Sequence, residues 1–168
     1  MFYRSRKAIA ASIPATANPL VPTLVERLGY DLRAIEPVGS RVTCSPAPTD
    51  TDEDWLILMR TVPVGSEAPK DIFAELGFRQ DGNPEFYIGM ENQFSSYRSG
   101  NLNVIVTADN SFFELFMTAT ALAKRFNLLH KADRIALFQA VLYRVNVHSL
   151  ELRPVSCGTD PIPDIFAA

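Results

Sequence analysis

Apolar positions along the chain alternate between helical and extended spacing. Leu20, Leu24, Val25 and Leu28 fall on one helical face. Pro19 and Pro22 suit the first turn of that helix, and Gly29 is placed to end it. Residues 33–38 form a short extended segment that leads into Gly39-Ser40, and a loop follows from Cys44 to Thr51 with Pro46 and Pro48. Trp55 to Met59 is a continuous apolar run of strand length, the pattern of a strand buried on both faces. A second amphipathic helix is predicted over Pro69 to Leu76, with Ile72, Phe73 and Leu76 inward and Gly77 as its stop.

Further along, Glu85–Met90 and Leu102–Thr107 read as strands flanking the polar stretch Asn92–Asn101, in which an edge strand is predicted around Ser95–Tyr97. Ser111 and Glu114 match a capping box. Behind them Phe112, Leu115, Phe116, Ala119, Leu122, Ala123 and Phe126 repeat at helical spacing. A last helix is predicted from Lys131 to Val145, burying Ile135, Phe138, Leu142 and Val145. These elements predict one domain of the α/β (α+β) class over residues 19–153. It lies between an N-terminal arm (1–18) and an irregular tail (154–168) that carries Pro154, Pro161 and Pro163.

Composition changes this picture little. The chain has 168 residues, 47% of them hydrophobic and 21% charged, as in average globular domains. Its net charge of -3 provides no general pull toward nucleic acid, which needs Lys and Arg to displace phosphate counterions. A stripe of Lys131, Arg134 and Arg144 is the kind of local basic patch that is usually a solvated helix face. Cys44 and Cys157 do not form a CxxC pair, so neither a disulfide framework nor a cysteine zinc site is supported. No apolar run approaches the roughly 20 residues needed to cross a bilayer. The basic start Met1–Lys7 is followed by too short an apolar run before Pro14 for a signal peptide, so a cytoplasmic protein is expected.

The segment Val38-Gly-Ser-Arg-Val-Thr-Cys-Ser-Pro-Ala-Pro-Thr-Asp-Thr-Asp-Glu-Asp54 carries the chemistry. Residues two apart on a strand point the same way, so Asp52 and Asp54 can direct both carboxylates at one point. Such a pair suits a hard divalent ion, Mg²⁺, which draws its remaining ligands from water and phosphate oxygens. Gly39 lets backbone N–H groups approach a phosphate closely, Ser40 adds a hydroxyl donor, and Arg41 can neutralise charge. Phosphoryl or nucleotidyl transfer needs this combination because its acceleration comes from positioning and charge screening. Taken alone, an Asp-rich loop is commonly just a solvated turn; its juxtaposition with the Gly-Ser turn and the apolar strand is what suggests a site.

At these residues the chain resembles the nucleotidyltransferase superfamily related to DNA polymerase β, whose signature is Gly-Ser, a spacer, and Asp-x-Asp entering a strand. The surrounding pattern is similar to small predicted nucleotidyltransferases of tailed phages, and the likeness extends to Asn101–Thr107, Phe112–Phe126 and Lys131–Ala140. The resemblance implies a mixed nucleotidyltransferase-type sheet flanked by helices, with C-terminal helices. It further implies that Gly39 and Ser40 hold a nucleoside triphosphate and that Asp52 and Asp54 hold Mg²⁺ and catalyse transfer of a nucleoside monophosphate to an unknown acceptor.

The chain departs from that pattern in three ways. Cys44 replaces a glycine frequent in the family, and the spacer is slightly longer. The third carboxylate expected on a later strand is replaced by amides, Asn101 and Asn103. An amide cannot act as a general base, which weakens or removes catalysis, and neither Glu91 nor Asp109 matches the expected position. The alternative expectation is therefore a degenerate family member that acts as a binding module or inhibitor of a host protein. His130 and His148 receive no role, and Phe94, Tyr97 and Arg98 fit an ordinary edge strand better than a nucleobase platform.

Overall fold

The computed structural model describes residues 6–60, 68–81 and 93–143. Among them the elements are α1 (Arg6–Ala11), α2 (Leu20–Leu28), β1 (Leu32–Val38), α3 (Ser40–Thr43), β2 (Glu53–Met59), α4 (Ala68–Glu75), β3 (Arg79–Asp81), β4 (Ser95–Ser99), β5 (Leu102–Thr107), α5 (Asn110–Phe126) and α6 (Lys131–Leu142). The strands form one sheet in the order β1-β2-β5-β4-β3. β2 and β5 run parallel while the other neighbours are antiparallel, so the sheet is mixed. The protein is thus of the α+β class, with helices on both faces and two helices at the C-terminal end of the described chain.

The apolar run on β2 supplies both faces of the sheet, as its continuous pattern predicts. Trp55, Ile57 and Met59 join Ile35, Tyr97, Leu102 and Val104 beneath α1, α2 and α4. Leu56 and Leu58 pack with Val38, Phe112, Phe116 and Phe138 beneath α5 and α6. All five apolar residues of β2 are buried, and at roughly 1.5–3 kcal/mol each this strand anchors both cores. Ile9 of the N-terminal segment is also buried in the first core, so the chain from α1 onward packs against the domain.

Several expectations are corrected by tertiary context. β4 is an interior strand between β5 and β3, not an edge. Its one large core side chain, Tyr97, stacks on Phe73 with ring centroids 4.3 Å apart. The edge is β3, whose three residues are all exposed and therefore carry no apolar signal. The cap of α5 is Asp109, not the Ser111–Glu114 box: the Asp109 carboxylate accepts from Ser111 N (2.7 Å) and Phe112 N (3.3 Å). A carboxylate two residues earlier meets the orphan N–H groups of the helix and their positive dipole end. Phe126, expected inside, is 59% exposed, because α5 ends there with Asn127 in the left-handed region. The strand expected at Glu85–Met90 lies outside the described residues, as do Glu91, Arg144, Val145, His148, Cys157 and the tail.

Candidate functional site

The strand register builds the site. Val38 closes β1 opposite Asp54 in the antiparallel pairing, so the turn after β1 necessarily lies beside the acidic entrance to β2. Gly39 there has φ +74°, a conformation that favours glycine, and an ideal Cβ at this position would lie 2.0 Å from Asp54 Oδ2. Both the backbone angle and the lack of space therefore demand glycine. Directly after it the chain turns into α3, with Gly39 O accepting from Val42 N and Thr43 N, and Ser40 Oγ donating to Thr51 Oγ1 (3.1 Å).

The parallel pairing of β2 with β5 sets Asn103 opposite Asp54. Asn103 Nδ2 donates to Asp54 Oδ1 (2.8 Å), and Ser96 Oγ donates to Asn103 Oδ1 (2.9 Å). Of the two amides expected at a third-acid position, Asn103 is the one that hydrogen-bonds Asp54. Asn101 is exposed in the preceding turn, where its carbonyl accepts from Glu53 N (2.8 Å). Glu53 points away from its acidic neighbours: its Oε1 accepts from Asn18 N (2.9 Å) and Trp55 Nε1 (2.8 Å). Alternation along the strand thus assigns Glu53 to holding the fold and leaves Asp52 and Asp54 to the site.

Asp52, Asp54, Gly39 and Ser40 line one open cavity of about 590 Å³. Arg41 is not among its lining residues; its guanidinium donates to Thr51 O and lies 3.7 Å from Glu53 Oε2. Asp109, capping α5, is also not among them. Three cations to which the sequence reading gave no role at the site do line the cavity: Arg98, read as part of an edge strand, and Lys131 and Arg134, read as a solvated helix face. The spacing of Lys131 and Arg134 is visible in the sequence as a helical stripe. Its direction is not, because the packing of α6 against the sheet decides it. Val38, Phe94, Ile105, Phe116, Ile135 and Phe138 supply an apolar wall to the same cavity. Phe94 is buried and stacks on Phe112 (5.1 Å).

Burial raises the Asp54 carboxyl above its ordinary range; the Asn103 hydrogen bond opposes this, and the neighbouring charge of Asp52 adds to it. Arg98 bridges two acids, donating from Nη1 to Asp52 Oδ2 (2.6 Å) and from Nε to Asp81 Oδ2 (3.2 Å). The hydrogen bond to Asp52 is the main cause of its raised pKa, so it stays cationic. Among the described residues no group of three or more His, Cys, Asp or Glu is arranged to hold a metal ion. The donors that are present, two carboxylates on one cavity with a Gly-Ser turn beside them, fit a divalent ion that takes its other ligands from water and phosphate.

A scan against protein-family models and searches of curated proteins and of solved structures give no match. Among the described residues no helix is long and apolar enough to cross a membrane.

Proposed function

We propose that this protein binds a nucleoside triphosphate in the cavity at Gly39, Ser40, Asp52 and Asp54 and transfers its nucleoside monophosphate to an acceptor hydroxyl, with pyrophosphate leaving as the bond between the α- and β-phosphates breaks. The observation that carries this reading is the convergence of the Gly39–Ser40 turn and the two carboxylates on one cavity. Asp52 and Asp54 would hold Mg²⁺, which screens charge on the phosphate oxygens when bound. The Gly39 backbone and Ser40 orient the phosphates, Lys131 and Arg134, which line the same cavity, add positive charge, and the apolar wall suits a base or an apolar part of the acceptor. The reading places the protein in the cytoplasm, that of an infected host if the likeness to phage proteins holds.

The decisive experiment is incubation with each of the four α-labelled ribonucleoside triphosphates and Mg²⁺. Labelling of the chain or of an added acceptor, lost in Asp52→Ala, supports transfer. If no triphosphate binds at millimolar concentration, the reading fails.

A second reading, a binding module that holds nucleotide or a host protein without turnover, is favoured by one observation: the amide of Asn103 occupies the place beside Asp54 where a third acid would act. An amide takes no proton from an attacking hydroxyl. Triphosphate binding without transfer in the native protein, together with transfer in Asn103→Asp, would select this reading.

A further inference from the structure

We infer that Arg98 is a built-in counter-cation that occupies Asp52 when the site is empty and is exchanged for a metal–triphosphate complex, so that metal binding depends on nucleotide. This inference rests on the nucleotide-binding reading of the same cavity.

Arg98 and Asp52 both line the cavity, and the guanidinium Nη1 lies 2.6 Å from Asp52 Oδ2. That oxygen belongs to one of the two carboxylates proposed to hold the ion. Arg98 and a divalent cation are therefore competitors for one anionic group. The position is imposed by the sheet: Arg98 lies opposite Asn103 in the β4–β5 register, and Asn103 lies opposite Asp54 in the β5–β2 register. One rung of backbone pairing thus lines up Arg98, Asn103 and Asp54 across three strands, and from it the Arg98 side chain reaches Asp52, two residues before Asp54.

The second bond, from Nε to Asp81 Oδ2 at 3.2 Å, shows where the side chain can stay when its grip on Asp52 is released. The Arg98 and Asp52 side chains are 38% and 45% exposed, so the pair is partly hydrated and only weakly held. Exchange is therefore cheap. A metal ion arriving alone must displace the guanidinium and leaves Arg98 with one acid rather than two. A metal arriving with a triphosphate supplies new anionic oxygens that the released guanidinium can bind, as guanidinium groups commonly do in planar two-point contacts. Arg98 thereby opposes the bare ion and favours the ion–nucleotide complex.

The test separates these two effects by calorimetric titration of Mn²⁺ alone and of Mg²⁺ with a non-hydrolysable triphosphate, in native protein, Arg98→Gln and Arg98→Lys. Removing one weak competing pair should tighten Mn²⁺ binding about fivefold in Arg98→Gln, while affinity for the triphosphate complex weakens by about tenfold. Arg98→Lys, which retains the charge without the fork, should fall between. Opposite signs for the two ligands are the signature, since a purely structural role would weaken both together. Equal losses or no change in a variant that melts like native protein would overturn the inference. A native protein that binds no triphosphate would instead overturn the nucleotide reading on which it rests. Asp81→Asn gives an independent check: with its second anchor gone, Arg98 should cling to Asp52, and Mn²⁺ alone should bind more weakly than to the native protein.

Discussion

The carboxylate of Asp54 fills the space that a side chain on Gly39 would need, with Oδ2 lying 2.0 Å from the ideal Cβ position. This contact ties the turn after β1 to the first residues of β2, and it makes the glycine and the acid parts of one device.

Gly39→Ala should therefore disturb more than the backbone. The positive φ costs roughly 1–3 kcal/mol for a residue with a side chain, and the methyl group must also push the carboxylate away from Asn103. Thermal unfolding should shift down, and triphosphate binding should be lost. In Gly39→Ala/Asp54→Ala the contacts with Oδ2 and Cγ disappear while the Cβ contact at 2.8 Å and the φ penalty stay, so the two stability losses should be less than additive. Additive losses would show that the contact is not tight.

Asn103→Asp replaces a donor to Asp54 by a second carboxylate. Without divalent ions the variant should be less stable, by about 1–3 kcal/mol, since a satisfied hydrogen bond becomes a like-charge contact. Millimolar Mg²⁺ should recover that loss, and transfer activity should rise by about a hundredfold if the missing base limits turnover. Melting curves with and without Mg²⁺, and the labelling assay, read both effects.

The raised pKa of Asp54 makes a pH prediction whose sign is fixed. The native state binds this proton more strongly than the unfolded chain does. Stability therefore falls as pH rises through the interval between the unfolded and folded values, and the cost is fully present above the folded value. Asp54→Asn, which removes the charge but can still accept from Asn103, should melt higher than native protein at pH 7. Its advantage should shrink as the pH is lowered into the ordinary carboxylate range. A constant difference from pH 4 to 8 would contradict the shift.

Asp109 serves as a control acid. Its carboxylate caps α5, so Asp109→Ala should lower stability by about 1 kcal/mol. Triphosphate affinity should not change, because Asp109 does not line the cavity. A selective loss of nucleotide binding with unchanged stability would instead move Asp109 into the site.

Local pattern was sufficient for the parts of this protein whose signal is self-contained. The apolar run Trp55–Met59 declares a strand buried on both faces and the spacing of Phe112, Phe116, Ala119 and Ala123 declares a helix, because each rests on neighbours a few residues apart, while Gly39-Ser40 with Asp52 and Asp54 name four residues that line one cavity. Only the tertiary structure decided the rest. The exposed β3 forms the edge although it has no apolar pattern, and the polar β4 is interior because β3 pairs with it. Asn103 rather than Asn101 meets Asp54, Arg98 bridges Asp52 and Asp81, and Lys131 and Arg134 line the same cavity as the acids, Arg134 donating to the carbonyls of Leu128 and Leu129. These outcomes depend on strand register and helix docking between segments about 17 to 80 residues apart. The energy that sets them comes from burying both faces of one sheet at once, a quantity that belongs to the assembled cores and to no single stretch of chain.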